Sequence, residues 1–241
     1  MAKTYEALLK QKNSVKQDIS TAASSSRSAL LTLQNKKQIA DLEKKLLYNS
    51  KKNNYKVFNF TSCRKNEGVT SIITSLAHYF LAKKTEKKIV LIDGNLHDSG
   101  LYKFFQIPVE PGLTDLLTNK CTVSDAICQI EDRNLFVIPS GIPTRKTVSE
   151  IPQDKIIELI KKIRDQFDYI LIDCPPLLEA SDSLSVAIAS DLTFLVLRAS
   201  KVQREVAEKA KLLLQGNDCA IGGVVFNRAL QVIPGWVYRL F

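Results

Sequence analysis

Three groups of residues have types and positions suited to phosphate chemistry. The first is Phe60-Thr61-Ser62-Cys63-Arg64-Lys65-Asn66-Glu67-Gly68-Val69-Thr70-Ser71, which follows an apolar run and opens a helix-like segment. This is the layout of a nucleotide-binding P-loop, where backbone N–H groups cradle phosphate oxygens and a hydroxyl reaches Mg²⁺. A standard loop ends Gly-Lys-Ser/Thr, whereas this one ends Gly68-Val69-Thr70. The second and third are Asp93 and Asp173, each delivered by four mainly apolar residues, Ile89-Val90-Leu91-Ile92 and Tyr169-Ile170-Leu171-Ile172. A carboxylate at the end of a buried strand can hold Mg²⁺ or a water close to phosphate oxygens. Each piece has a plainer reading: an Asp after a strand is often a helix cap or turn residue, and strand-turn-helix units with one Gly are common. The three together, in this chain order, point to a phosphate site.

The elements that would position them alternate. Apolar runs at residues 57–60, 89–92, 135–138, 169–172, 192–197 and 221–226 are short and nearly continuous, as in strands buried on both faces. Helical patterns lie between them at 70–83, 124–130, 154–166, 181–189 and 202–215. Repeated β-α alternation predicts an α/β fold: a doubly wound, mostly parallel sheet with helices on both faces. Ligands then bind at the carboxyl ends of the strands. Residues 1–50 read as an N-terminal helical and linker extension, and 51–241 as the P-loop domain. Tyr5-Glu6-Ala7-Leu8-Leu9 suits a short helical turn, and residues 13–28 are Ser-, Gln-, Lys- and Thr-rich like a linker. Ile39, Leu42 and Leu46 recur at i, i+3 and i+7, which predicts an amphipathic helix.

Composition bounds the answer. The chain has 241 residues, 45% of them hydrophobic, enough for one α/β domain with a short extension. No run approaches the length of a membrane span, and the N-terminus has no charged-then-apolar signal pattern, so secretion is not expected. The five cysteines are odd in number without CxxC spacing, and with only His78 and His97 no zinc constellation forms. A reducing, cytosolic compartment is the expectation. The net charge of +9 sits largely in Lys pairs such as Lys36-Lys37, Lys44-Lys45 and Lys87-Lys88. No aromatic interleaving accompanies them, so solvated helix faces are the simpler reading and nucleic acid is not the expected partner.

At Walker B the pattern becomes specific: Asp168-Tyr169-Ile170-Leu171-Ile172-Asp173-Cys174-Pro175-Pro176. With the loop and Asp93, it resembles the cytoplasmic domain of bacterial tyrosine kinases, a MinD/ParA-type branch of P-loop ATPases serving capsule and exopolysaccharide production. Pro111-Gly112-Leu113-Thr114-Asp115-Leu116-Leu117, Leu135-Phe136-Val137-Ile138-Pro139-Ser140-Gly141 and Gly222-Gly223-Val224-Val225-Phe226-Asn227 are similar to further family segments. So are Tyr5-Glu6-Ala7-Leu8 and Ile233-Pro234-Gly235-Trp236-Val237-Tyr238 at the two ends. The resemblance implies ATP or ADP with Mg²⁺. Arg64, Lys65, Asn66, Glu67, Gly68, Thr70, Ser71, Asn227 and Arg228 would contact the nucleotide, Asn227 at the adenine. Thr70, Asp93 and Asp173 would serve the metal, and Asp93 and Asp173 the catalysis of an active member.

Departures from that pattern concern the chemistry. Val69 replaces the phosphate-gripping lysine, Lys65-Asn66 replace the Pro-Gly or Gly-Gly of the loop, and Asn95 replaces the second Asp of an Asp-x-Asp motif. Arg64 falls near the signature lysine of ParA-type relatives. It or Lys65 restores charge at the loop, or both are simply solvated. Only Tyr238 lies near the end, where active kinases carry a tyrosine cluster. The implied role is a degenerate kinase-like partner or regulator in polysaccharide assembly, held at the inner face of the membrane by a membrane-embedded chain-length regulator, with possible self-association. An active autokinase and a ParA-like positioning ATPase are the alternatives.

Overall fold

The computed structural model describes residues 33–96, 98–131, 133–143, 153–199 and 201–228. The segments read at 5–9, 13–28 and 233–238, together with His97, lie outside the described residues. The chain divides into two units after Lys44, inside helix α1 (Leu33–Asn53). The stripe Ile39, Leu42 and Leu46 is buried at all three positions, as its spacing predicts.

The second unit holds a seven-stranded sheet: β1 (Val57–Ser62), β2 (Ile89–Asp93), β3 (Cys128–Ile130), β4 (Leu135–Ile138), β5 (Tyr169–Asp173), β6 (Leu192–Arg198) and β7 (Ile221–Asn227). Their order is β3-β4-β2-β5-β1-β6-β7, with only the β3–β4 pair antiparallel. Every residue of β1, β2 and β5 is buried, which is why these strands read as continuous apolar runs. The register sets Phe60 and Asp93 each opposite Asp173, so both acidic strand ends arrive side by side next to the end of β1.

Helices cover both faces. On one, Phe80 of α2 (Val69–Lys83) stacks on Tyr169 at 6.1 Å between ring centres, beside Phe58, Phe60 and Phe194. On the other, α4 (Leu113–Leu117), α5 (Val123–Ala126), α6 (Gln153–Ile163) and α7 (Ser181–Ala189) pack on Val57, Val90, Ile92, Ile170 and Ile172. There, Ala210 and Leu214 of α8 (Arg204–Gln215) meet Leu195 and Leu197. The short α3 (Leu101–Phe105) follows β2. Among the described residues, no helix is long and apolar enough to cross a membrane.

One expectation is corrected. Residues 124–130 do not form a single helix: α5 ends at Ala126, and Cys128–Ile130 form β3, with Cys128 opposite Val137. Val123, Ala126 and Ile130 fit a helical repeat, but so short a run does not discriminate. Pairing with β4 satisfies the backbone of what would otherwise be an open sheet edge.

Two segments singled out in the sequence turn out to be one packing unit. The N–H groups of Leu113 and Thr114 donate to the carbonyls of Pro139 (2.7 Å) and Ser140 (3.0 Å). Gly112 lies so close to Gly141 that a Cβ there would collide with the Gly141 backbone and sit 2.7 Å from the Pro139 oxygen. Gly112→Ala is therefore expected to cost about 3 kcal/mol, lowering the melting temperature by about 6–12 °C in a thermal scan.

Candidate functional site

The loop between β1 and α2 is shaped from within and from β7. Asn66 (φ 64°) and Gly68 (φ 95°) adopt left-handed backbone, which Asn tolerates and Gly allows freely. The Glu67 carboxylate accepts the Cys63 N–H at 2.8 Å, and the Ser62 hydroxyl donates to the Arg64 carbonyl at 2.9 Å. Burial pushes the Glu67 carboxyl above its ordinary range, against the pull of the Cys63 and Arg64 N–H groups. From the end of β7, the Asn227 amide donates to the Glu67 carbonyl at 2.9 Å. That amide fills the space a Cβ on Gly68 would need, so only glycine fits here. No side chain caps the start of α2, which leaves its first N–H groups available to an anion.

These elements frame a cavity of about 680 Å³ at the carboxyl edge of the sheet. Of the residues expected from the sequence, it brings together Lys65, Asn66, Glu67, Gly68, Thr70, Ser71, Asp173 and Arg228. Arg64, Asp93 and Asn227 are not on its wall. Arg64 faces an adjoining cavity of about 320 Å³, shared with Lys65, Arg198 and Lys201. Val69 lines the main cavity and is only 8% exposed, an aliphatic wall where a lysine would stand.

The two aspartates have different work. Asp93 Oδ2 accepts the N–H groups of Gly100 (3.2 Å) and Leu101 (3.1 Å), and Oδ1 accepts that of Asn95 (3.3 Å). It anchors the segment after β2. Burial pushes its carboxyl up to about 6, although those N–H groups favour the charged form. Asp173, 1% exposed, reaches the cavity, and neither of its oxygens has a well-formed hydrogen bond. Burial, and then the neighbouring Asp93 charge, hold its carboxyl well above the usual range, while the Thr70 hydroxyl pulls the other way.

Two orphaned, buried carboxylate oxygens beside a threonine hydroxyl fit a hard cation such as Mg²⁺. Among the described residues, no group of three or more His, Cys, Asp or Glu side chains could hold a metal alone. An ion here would need phosphate or water oxygens to complete its shell, as Mg²⁺ commonly does.

The sequence reading missed Asp98, Glu179, Arg198 and Lys201 on the cavity wall. Arg198 was findable: it ends the apolar run of β6 as Asp93 and Asp173 end theirs. Asp168, the first residue of the Walker B match, stands at the opposite edge of the sheet. There it pairs with Lys87 at 2.9 Å and accepts the Lys88 N–H at 2.9 Å.

The Asp173 environment gives a signed expectation. A carboxyl whose folded pKa is raised binds protons more readily folded than unfolded, so stability falls as pH rises through its titration. Asp173→Asn is therefore expected to raise the melting temperature without metal, by about 2–6 °C at pH 8 and by less as pH falls. Scans at several pH values with EDTA check this, and added Mg²⁺ should narrow the difference.

An AAA domain profile matches residues 64–204. The tyrosine-protein kinase CpsD of Streptococcus agalactiae serotype Ia is 32% identical over 182 residues, covering 74% of this chain and 76% of the relative. The putative tyrosine-protein kinase CapB of Staphylococcus aureus is 28% identical over 184 residues, covering 76% and 79%. Among solved structures, the VpsO kinase domain superposes with a TM-score of 0.71 at 27% identity, covering 82% of this chain and 97% of that one. MinD of Pyrococcus horikoshii, complexed with Mg-ADP, shares the fold at a TM-score of 0.62 and 23% identity, covering 76% of each chain. With the loop, both strand-end aspartates and the paired Gly112–Gly141 segments in place, the chain belongs to the bacterial tyrosine-protein kinase family.

Proposed function

We propose that the chain is a degenerate tyrosine-kinase-like P-loop protein with weak or absent ATP turnover, acting as a partner or regulator in bacterial capsule or exopolysaccharide assembly. The observation that carries this reading is Val69, a buried aliphatic side chain on the cavity wall at the position of the phosphate-binding lysine. A charge-assisted hydrogen bond of the missing kind contributes about 1.5–3 kcal/mol. Loss of a group that stabilises transition-state charge costs on the order of a hundredfold in rate. The Asp93 carboxylate supports the same reading, because three backbone N–H groups already occupy it and it stands off the cavity wall.

The residues that persist suit binding better than turnover. Thr70 and Asp173 would hold Mg²⁺, which when bound neutralises phosphate charge. The left-handed turn at Gly68 and the uncapped start of α2 would orient phosphate oxygens. Family likeness suggests a cytoplasmic location, docking to a membrane-embedded polysaccharide chain-length regulator, and self-association.

A second reading, an active ATP-dependent tyrosine kinase, is favoured by one observation: Lys65 stands on the cavity wall as a substitute cation. One experiment separates the two. Purified protein is incubated with Mg-ATP, phosphate release is followed, and phosphotyrosine is sought by mass spectrometry. Release at background with no Mg-dependent phosphotyrosine is expected. Turnover of about 1 s⁻¹ or faster, abolished by Asp173→Ala and by Lys65→Ala, would overturn the first reading and establish the second.

A further inference from the structure

The cavity wall carries both signs of charge, with Lys65 and Glu67 on the loop and Glu179 after β5. β1 and its loop lie between β5 on one side and β6 on the other. Toward β5 and β2 the wall carries Asp173 and Asp98. Toward β6 and β7 it carries Arg198, Lys201 and Arg228. Arg198 ends β6 opposite Asn227, and Arg228 follows directly, so the register draws both guanidinium-bearing positions to one corner. The Ala199 N–H donates to the Asn227 carbonyl at 2.9 Å and fixes that corner.

Among the described residues, none of these three cations lies within ion-pairing distance of a carboxylate. Arg164, by contrast, pairs with Asp191 at 2.9 Å. Unpaired like charges converging on one concave surface repel, and a bound anion relieves that repulsion.

The acidic end fixes the orientation of a nucleotide. A metal ion here would be held by Thr70 and Asp173 and would neutralise phosphate charge at that end of the cavity. Thr70 and the orphaned Asp173 oxygens mark that end. A terminal phosphate would therefore extend toward Asp173 and Asp98, and the inner phosphates toward Arg198, Lys201 and Arg228. Val69 offers nothing to offset the charge of a third phosphate.

We infer that this cavity selects a nucleoside diphosphate over the corresponding triphosphate, with Arg198, Lys201 and Arg228 supplying the phosphate-binding charge that Val69 does not. The inference rests on the nucleotide-binding reading above and specifies its ligand. The chain would then report the diphosphate state of the nucleotide pool rather than consume triphosphate.

Calorimetric titration of the full chain with Mg-ADP and with Mg-ATP tests it, alongside Val69→Lys and a double variant, Arg198→Ala with Lys201→Ala. Thermal melts confirm that each variant is folded. Mg-ADP is expected to bind wild type about tenfold or more tighter than Mg-ATP, and the double variant to lose about tenfold or more in Mg-ADP affinity. Val69→Lys is expected to recover Mg-ATP binding to within about threefold of Mg-ADP. Wild type that binds Mg-ATP as tightly as Mg-ADP, or a folded double variant with undiminished Mg-ADP affinity, removes the inference and leaves nucleotide binding standing. If neither nucleotide binds wild type or Val69→Lys, the nucleotide reading falls and this inference falls with it.

Discussion

Asp173 sets the terms for this fold. Its carboxyl group sits at the end of a central strand, 1% exposed, with no well-formed hydrogen bond to either oxygen and the Asp93 carboxyl directly opposite in register. An ionised carboxylate in that position is costly unless a cation reaches it, and otherwise it keeps its proton. Sheet register leaves no alternative, because any pairing of β2 with β5 that keeps Ile92 opposite Ile172 brings the two aspartates together. The strain is eased on the Asp93 side, where the N–H groups of Asn95, Gly100 and Leu101 converge. That division of labour leaves the Asp93 carboxylate to anchor the segment after β2 and the Asp173 carboxylate to face the cavity.

Around this pair, the loop keeps its shape without its usual cation. Glu67 folds back on the Cys63 N–H, and Asn66 and Gly68 provide the left-handed turns. Backbone geometry and side-chain charge are thus separable features of a P-loop, and this chain retains the first while relocating the second. Positive charge stands on the β6–β7 corner and on Lys65 instead of at the first helical residue.

Much of this was legible in the sequence for a physical reason. Strands buried on both faces leave continuous apolar runs, and the run at 135–138 coincides with β4 while the pattern at 181–189 coincides with α7. The strand-end logic located Asp173 on the cavity wall. Asp93, at an equivalent strand end, instead turns its carboxylate to backbone N–H groups and stands off the cavity wall, a placement that sequence spacing alone does not distinguish. β3 was hidden by its brevity, since a few residues satisfy helical and extended spacing alike. Arg198 and Lys201 lie far from the loop in sequence, and only the sheet order brings the end of β6 beside it. The role of Asn227 was invisible for a similar reason: its partner, the Glu67 carbonyl, is 160 positions away in sequence.

That long-range contact makes the phosphate loop mechanically dependent on the outermost strand of the sheet. Among the described residues β7 pairs with β6 alone, and its Val224 and Phe226 side chains stand about half open to solvent. Sliding β7 by one residue would withdraw the amide from Glu67, vacate the space beside Gly68 and displace Arg228 in the same motion. The outermost strand and the anion cradle are therefore joined through one hydrogen bond, from the Asn227 amide to the Glu67 carbonyl.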